Sequence, residues 1–162
     1  MKNIVITGMS GAGKSELGKA LAEMTGWPWY DTDTLIIEKT GISIPEIFRR
    51  VGEEGFRDIE SEVVRSLEDQ TGIIISTGGG VVLREENIRS LKKNGRIFFL
   101  RRDVEDILPS DDRPLADTVE KVKALYQARL DIYLQTADAV VDATDIPEET
   151  ARKLLLIRAE IH

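Results

Sequence analysis

Residues 8–15 read GMSGAGKS, directly after the β-branched run Asn3-Ile4-Val5-Ile6-Thr7 and directly before a stretch that carries Leu17, Leu21 and Ala22 at helical spacing. This is the pattern G-x-x-x-x-G-K-[ST] in the strand-to-helix setting that gives it meaning. Glycines let backbone N–H groups turn inward around β- and γ-phosphates, and the following helix adds partial positive charge at its N-terminus. Gly11, Ala12 and Gly13 are therefore expected to wrap the phosphates of a nucleoside triphosphate, with Glu16 close by. Lys14 is expected to bridge β- and γ-oxygens and Ser15 to offer its hydroxyl to Mg²⁺. The competing reading is a glycine-rich turn with a surface lysine, against which the complete motif in its proper setting weighs heavily. The loop alone does not separate a kinase from a GTPase, a motor or a switch.

Outward from this loop, short β-branched runs alternate with longer stretches of helical period, the pattern of βαβ units and a parallel sheet covered on both faces. Strands are expected at 3–7, 28–31, 73–76, 96–100 and 139–141. Helices are expected at 14–25, 43–51, 53–69, 85–93, 118–136 and 147–159. Gly26 and Gly95 sit where left-handed caps are wanted, and Pro147 where a first helical turn tolerates proline. A length of 162 residues suits one α/β domain over 1–162. The one long polar stretch without periodicity, 101–117, is a candidate mobile loop.

Composition narrows the chemistry. Lys and Arg number 22 against 29 Asp and Glu, a formal charge of −7 that opposes binding to nucleic acid or an anionic membrane. No cysteine is present, which removes disulfides, thiolate nucleophiles and thiolate metal sites. The single histidine is His162, read as frayed, so acid–base chemistry is expected from carboxylates. The first apolar run is too short for a signal peptide or a membrane span, and the expected address is cytoplasmic.

Asp31, Thr32 and Asp33 follow the second strand, at the carboxyl edge where α/β folds bind ligands. One carboxylate there can hold a metal-bound water and the other can take a proton from an attacking hydroxyl. The alternative is capping by Asp33 or Thr34 of a helix that begins near Leu35. Gly78, Gly79 and Gly80 follow the third strand and leave the backbone bare for close approach of a ligand, or else form a flexible turn. Residues 52–60, GEEGFRDIE, place Glu53, Arg57 and Glu60 on one helical face beside Phe56. An i,i+4 pair of Glu53 with Arg57, worth about 0.2–0.5 kcal/mol, explains these equally well. Arg129 shares a helix with Leu130, Tyr133 and Leu134, and by itself reads as a surface cation.

Taken in order, the phosphate loop, DTD, GEEGFRDIE, STGGG, DDRPLAD and the segment 129–133 resemble shikimate kinase over essentially the whole chain. The resemblance implies a three-layer α/β/α P-loop fold with a five-stranded parallel sheet in the order 2-3-1-4-5. It also implies an acceptor-binding helical segment at about 33–60 and a lid at about 103–117. The implied reaction moves the γ-phosphoryl group of ATP to the 3-hydroxyl of shikimate, on the route to chorismate and the aromatic amino acids.

By the same resemblance Asp33 takes the proton of the reacting hydroxyl, and Asp31 lies near Mg²⁺ with Ser15. Arg57 and Arg129 hold the substrate carboxylate, in the planar recognition that lysine lacks. Gly78, Gly79 and Gly80 form the acceptor cradle, Glu60 fixes Arg57, and Phe48 and Phe56 wall the pocket. Arg113 is the lid arginine over the phosphates, with a loop salt bridge to Asp111 or Asp112 as its alternative. Residues 142–147 form the adenine-side loop, with Arg152 near the base. Apart from the resemblance, no long exposed apolar stripe demands a partner, and a monomer is expected.

Two positions depart from the family pattern. Asp106 stands where members carry an adenine-packing arginine about seven residues before the lid arginine, and the approach 109–112 is shortened. Glu16 stands where threonine is common after Ser15. The alternatives are a gluconate-type or nucleotide kinase, and an ATP-binding regulator without catalysis.

Overall fold

The strand β1, Asn3–Thr7, is buried along its whole length. It lies in parallel register with β3 (Ile74–Ser76) on one edge and β4 (Gly95–Arg101) on the other. β2 (Trp29–Asp31) pairs with β3, and β5 (Ala139–Asp142) with β4, all parallel. The sheet order is thus β2-β3-β1-β4-β5, the order the resemblance implies. The computed structural model describes residues 1–161; the reading of His162 lies outside the described residues.

Among the described residues, six helices connect and cover the strands: α1 (Lys14–Thr25), α2 (Thr32–Thr40), α3 (Ile44–Ser66), α4 (Glu85–Lys93), α5 (Val119–Thr136) and α6 (Pro147–Glu160). Two parallel strands can be joined only by a crossover, and the helices supply it. Ile4, Ile6, Leu17, Leu21, Ile74, Phe98 and Phe99 are among the residues that form the main core. A smaller cluster of Ile36, Ile47, Phe56 and Val63 packs α2 against α3. That second cluster holds α2 and α3 together as a unit beside the sheet edge.

Several boundaries differ from the sequence expectation. α2 starts at Thr32 rather than near Leu35, because Asp31 is its cap: its carboxylate accepts from the amides of Asp33 at 3.0 Å and Thr34 at 3.3 Å. Capping therefore belongs to Asp31, and the Asp33 side chain is left free of it. The expected break near residue 52 is present, since Gly52 has φ 71° and ψ −175° and divides α3 into two helical halves. The second half stops at Ser66, short of the expected 69, and closes through turns at Leu67 and Gln70. Within 101–117, the 3₁₀ turn Val104–Asp106 and the buried Ile107 and Ala116 anchor part of the expected loop to the core. A further 3₁₀ turn, Val81–Leu83, follows the triple glycine.

No helix among the described residues is long and apolar enough to cross a membrane. At the opposite end of the sheet, the buried Asn3 amide donates to Gln70 O at 2.7 Å and accepts from Ile73 N at 3.0 Å. It ties the start of β1 to the entry of β3. Removing it leaves buried backbone groups without partners. Asn3→Ala is expected to lower unfolding stability by about 1–3 kcal/mol, measured as a reduced urea midpoint with an unchanged slope.

Candidate active site

At the carboxyl edge of the sheet, Gly8, Gly11 and Gly13 take φ of 144°, 88° and 103°, values that only glycine adopts without strain. Gly13 is the left-handed cap of α1 and provides no side chain to the first turn. Ala12 N donates to Met9 O at 3.1 Å, whereas the first turn of the helix leaves its amides available to an anion. Lys14 is buried beneath the loop, its Nζ donating to Gly8 O at 2.5 Å and Met9 O at 3.0 Å. Burial pulls its pKa down to about 8, with the charges of Asp33 and Asp31 opposing. Ser76 fixes the start of α1 by donating to Lys14 O at 2.8 Å while accepting from Trp29 Nε1 at 2.9 Å. The Ser15 hydroxyl donates to Asp31, so the two expected metal-side residues lie together.

The turn after β3 is held by its own backbone. Thr77 N donates to Ile6 O at 3.1 Å, Gly78 N to Thr32 Oγ1 at 3.0 Å, and the Tyr133 hydroxyl to Gly79 O. None of the three glycines has positive φ, so their role is steric. A Cβ on Gly78 would lie 2.7 Å from Glu60 Oε2 and 2.9 Å from Asp33 Oδ1. On Gly79 it would lie 2.7 Å from Ser10 Oγ and 3.4 Å from an Arg129 nitrogen. On Gly80 it would collide with the Arg57 guanidinium. Side chains from four other segments thus converge on this bare backbone, which the expectation of a flexible turn does not describe.

Arg57 is buried, 2.9 Å from the wholly buried Glu60 and 3.5 Å from Glu53, with its guanidinium 5.1 Å over the Phe56 ring. Phe56 and Phe48 pack with ring centroids 4.8 Å apart. Burial pushes the Glu60 pKa up against the pull of Arg57, and one Glu60 oxygen and the Arg57 Nε have no hydrogen-bond partner. Arg129 is buried on α5 and, like Arg113, forms no ion pair among the described residues. The surface-cation reading of Arg129 therefore gives way.

Two adjoining clefts result. The larger, about 440 Å³, is lined by residues 10–17 together with Asp31, Asp33, Arg102, Arg113 and the segment that follows β5. The smaller, about 60 Å³, is lined by Phe48, Phe56, Arg57, Glu60, residues 78–80 and Arg129, and closed by residues 112–116. Ser10, Asp33 and Arg113 border both. Arg113 lies over the phosphate loop, 2.7 Å from where a Gly11 Cβ would stand, and donates to Leu108 O at 2.9 Å. The alternative salt bridge to Asp111 or Asp112 does not form.

Most expected site residues come together, but Arg152 does not. It is exposed on α6 and lines neither cleft, because the inward face of that helix is taken by Thr150, Ala151 and Leu154. Ser10, Arg102 and Thr150 border the clefts without having been singled out in the sequence. Ser10 occupies a variable position of the loop motif, and only the fold brings it opposite Gly79.

A phosphate-binding loop, an adjoining pocket lined by arginines and a carboxylate between them define a P-loop small-molecule kinase. The shikimate kinase family model matches residues 10–158, and this chain belongs to that family. Shikimate kinase of Thermodesulfovibrio yellowstonii is 41% identical over 163 residues, covering 96% of this chain and 94% of the relative. Shikimate kinase of Neisseria meningitidis serogroup C is 38% identical, covering 96% and 97%. The structure of shikimate kinase from Acinetobacter baumannii in complex with shikimate superposes with TM-score 0.94 and 32% identity, covering 99% of this chain and 94% of that one. A gluconokinase from Sinorhizobium meliloti, at TM-score 0.59 and 17% identity, shares the fold alone.

Burial, with the charge of Asp31, pushes the half-buried Asp33 carboxyl up to about 6 from its ordinary 3.8. Its ionised form is thus less favourable in the folded chain than in the unfolded one. The stability it contributes falls as pH rises from 3.8 through 6. Asp33→Asn removes this penalty. The variant is expected to melt at a higher temperature than the parent at pH 8, with the gain gone below pH 3.8, as read by thermal scans across pH.

Proposed function

We propose that this chain transfers the γ-phosphoryl group of ATP to the 3-hydroxyl of shikimate, giving shikimate 3-phosphate and ADP. One observation carries the reading: a phosphate-loop cleft and an arginine-lined pocket meet at Asp33 and Arg113. The relative solved with shikimate has the same fold over nearly its full length.

In this reading the amides of Gly11, Ala12 and Gly13 and the start of α1 bind the phosphates of ATP, with Glu16 at the rim. Lys14 exchanges its carbonyl contacts for the β- and γ-oxygens. Ser15 and Asp31 supply adjacent hard oxygen donors, which fit Mg²⁺ because that ion keeps most of its waters and takes one or two protein oxygens. When bound there, Mg²⁺ neutralises charge on the phosphate oxygens as the phosphoryl group departs.

Arg57, held by Glu60 and Glu53, and Arg129 take the acceptor carboxylate, while residues 78–80 face the ring oxygens and Phe48 and Phe56 wall it. Asp33 accepts the proton of the reacting hydroxyl as its oxygen bonds to the γ-phosphorus and the bond to ADP breaks. Arg113 balances the charge that develops between the two clefts. The smaller cleft is well under the usual 300 Å³ or so of a ligand pocket, and residues 112–116 form one of its walls. Acceptor entry therefore requires the lid segment at about 103–117 to move. The chain acts as a single kinase domain, 1–162, with its acceptor segment at about 33–60, and works as a cytoplasmic monomer without nucleic-acid or membrane partners.

Shikimate-dependent ADP release with Mg-ATP in a coupled assay tests the activity. Release with gluconate alone points to the gluconate-type kinase, and ATP binding without any release points to the regulator. Arg57→Ala is expected to raise the shikimate KM by roughly 30-fold or more at nearly constant kcat, since it strips one partner from a desolvated charge pair. Asp33→Asn is expected to lower kcat by about 10²–10⁴ at nearly constant shikimate KM. The kcat/KM profile is expected to fall below pH about 6, as Asp33 is protonated, and above about 8, as Lys14 loses its charge. The acid limb should vanish in Asp33→Asn.

A further inference from the structure

Arg102 follows β4 directly, at the carboxyl edge of the sheet. Its neighbour Arg101 ends the strand and pairs with Asp142 of β5 at 2.7 and 3.2 Å. Alternation along the chain turns Arg102 the other way, into the nucleotide cleft beside Leu100, Ala143, Thr144, Asp145 and Pro147. Its side chain is 21% exposed, and its Nε is buried without a hydrogen-bond partner. The carboxylate near it, Asp145, is 3.7 Å away on a fully exposed side chain, a weak and screened partner. The result is a planar cation on the cleft wall with donor capacity left over.

Its position separates it from the phosphates. Lys14 and Arg113 already serve the phosphate loop, which extends from β1. Arg102 belongs to the β4–β5 side, and β5 stands two strand spacings from β1, about 10 Å. The distal end of the cleft is therefore where the base of a nucleotide lies when its phosphates occupy the loop. The lid supplies no planar cation there. Asp106 is exposed and lines neither cleft, and the segment 108–112 reads LPSDD.

We propose that Arg102 is the residue that binds the nucleotide base, its guanidinium lying against the purine face. A guanidinium stacked on an aromatic ring attracts it through the ring's quadrupole, and planarity matters to that contact as well as charge. The inference rests on the larger cleft being the ATP site; it does not depend on which acceptor fills the smaller one.

The test measures ADP binding by calorimetry, without acceptor, so that a failure of the shikimate assignment leaves it interpretable. Arg102→Ala is expected to weaken ADP roughly tenfold and to leave the affinity for inorganic tripolyphosphate, which has no base, at the parent value. Arg102→Lys keeps the charge and loses the plane, and should recover only part of the ADP affinity. An unchanged far-UV circular dichroism spectrum and melting temperature report an intact fold. Unchanged ADP affinity in Arg102→Ala overturns the proposal. Equal weakening of ADP and tripolyphosphate, restored by lysine, also overturns it and assigns Arg102 to the phosphates.

Discussion

The backbone at Gly78, Gly79 and Gly80 is the surface on which the rest of the site is built. Asp33 and Glu60 converge at the first glycine, Ser10 and Arg129 at the second, and Arg57 at the third. Those side chains come from α2, α3, the phosphate loop and α5, which share no local sequence. A methyl group at any of the three positions would push at least one of them away. The turn itself cannot yield, because Thr32, Ile6 and Tyr133 hold its polar groups. Close approach thus converts one short segment into the reference point for both clefts.

The electrostatic design follows from that convergence. A chain with net charge −7 places Lys14, Arg57, Arg102, Arg113 and Arg129 around two adjoining clefts. These cations alternate with Glu16, Asp31, Asp33, Glu60, Asp112 and Asp145 on the same walls, so anion binding depends on where each cation stands rather than on net positive charge. Burying Arg57 with Glu60 contributes little to net stability, since desolvation offsets the attraction. Its value is positional: the guanidinium is held in one orientation beside the bare backbone. The raised Asp33 pKa and the lowered Lys14 pKa come from the same desolvation, which keeps both groups near the range where proton and charge transfer are useful.

The sequence made the sheet readable because a parallel sheet buried on both faces writes each strand as an apolar run. The phosphate loop was readable because its spacing is local. The capping pattern after β2 was harder: Asp31, Asp33 and Thr34 are all good caps, and only the orientation of β2 assigns that task to Asp31. The purpose of the glycines was legible only as a need for space, since what fills it lies 18 to 69 residues away in sequence. Arg102 was invisible for a related reason. A charged residue at a strand end reads as solvent-exposed until the neighbouring strand and its loop are in place. Arg152 erred in the opposite direction, because the face of α6 that it occupies depends on how that helix packs.

In the proposed reaction the two buried arginines and Asp33 hold opposite ends of one small hydroxylated acid. A crystal structure with ADP and shikimate measures this directly. The expected result places the shikimate carboxylate between Arg57 and Arg129 and its 3-hydroxyl within hydrogen-bond reach of Asp33. A carboxylate bound elsewhere, or a 3-hydroxyl turned away from Asp33, would contradict it.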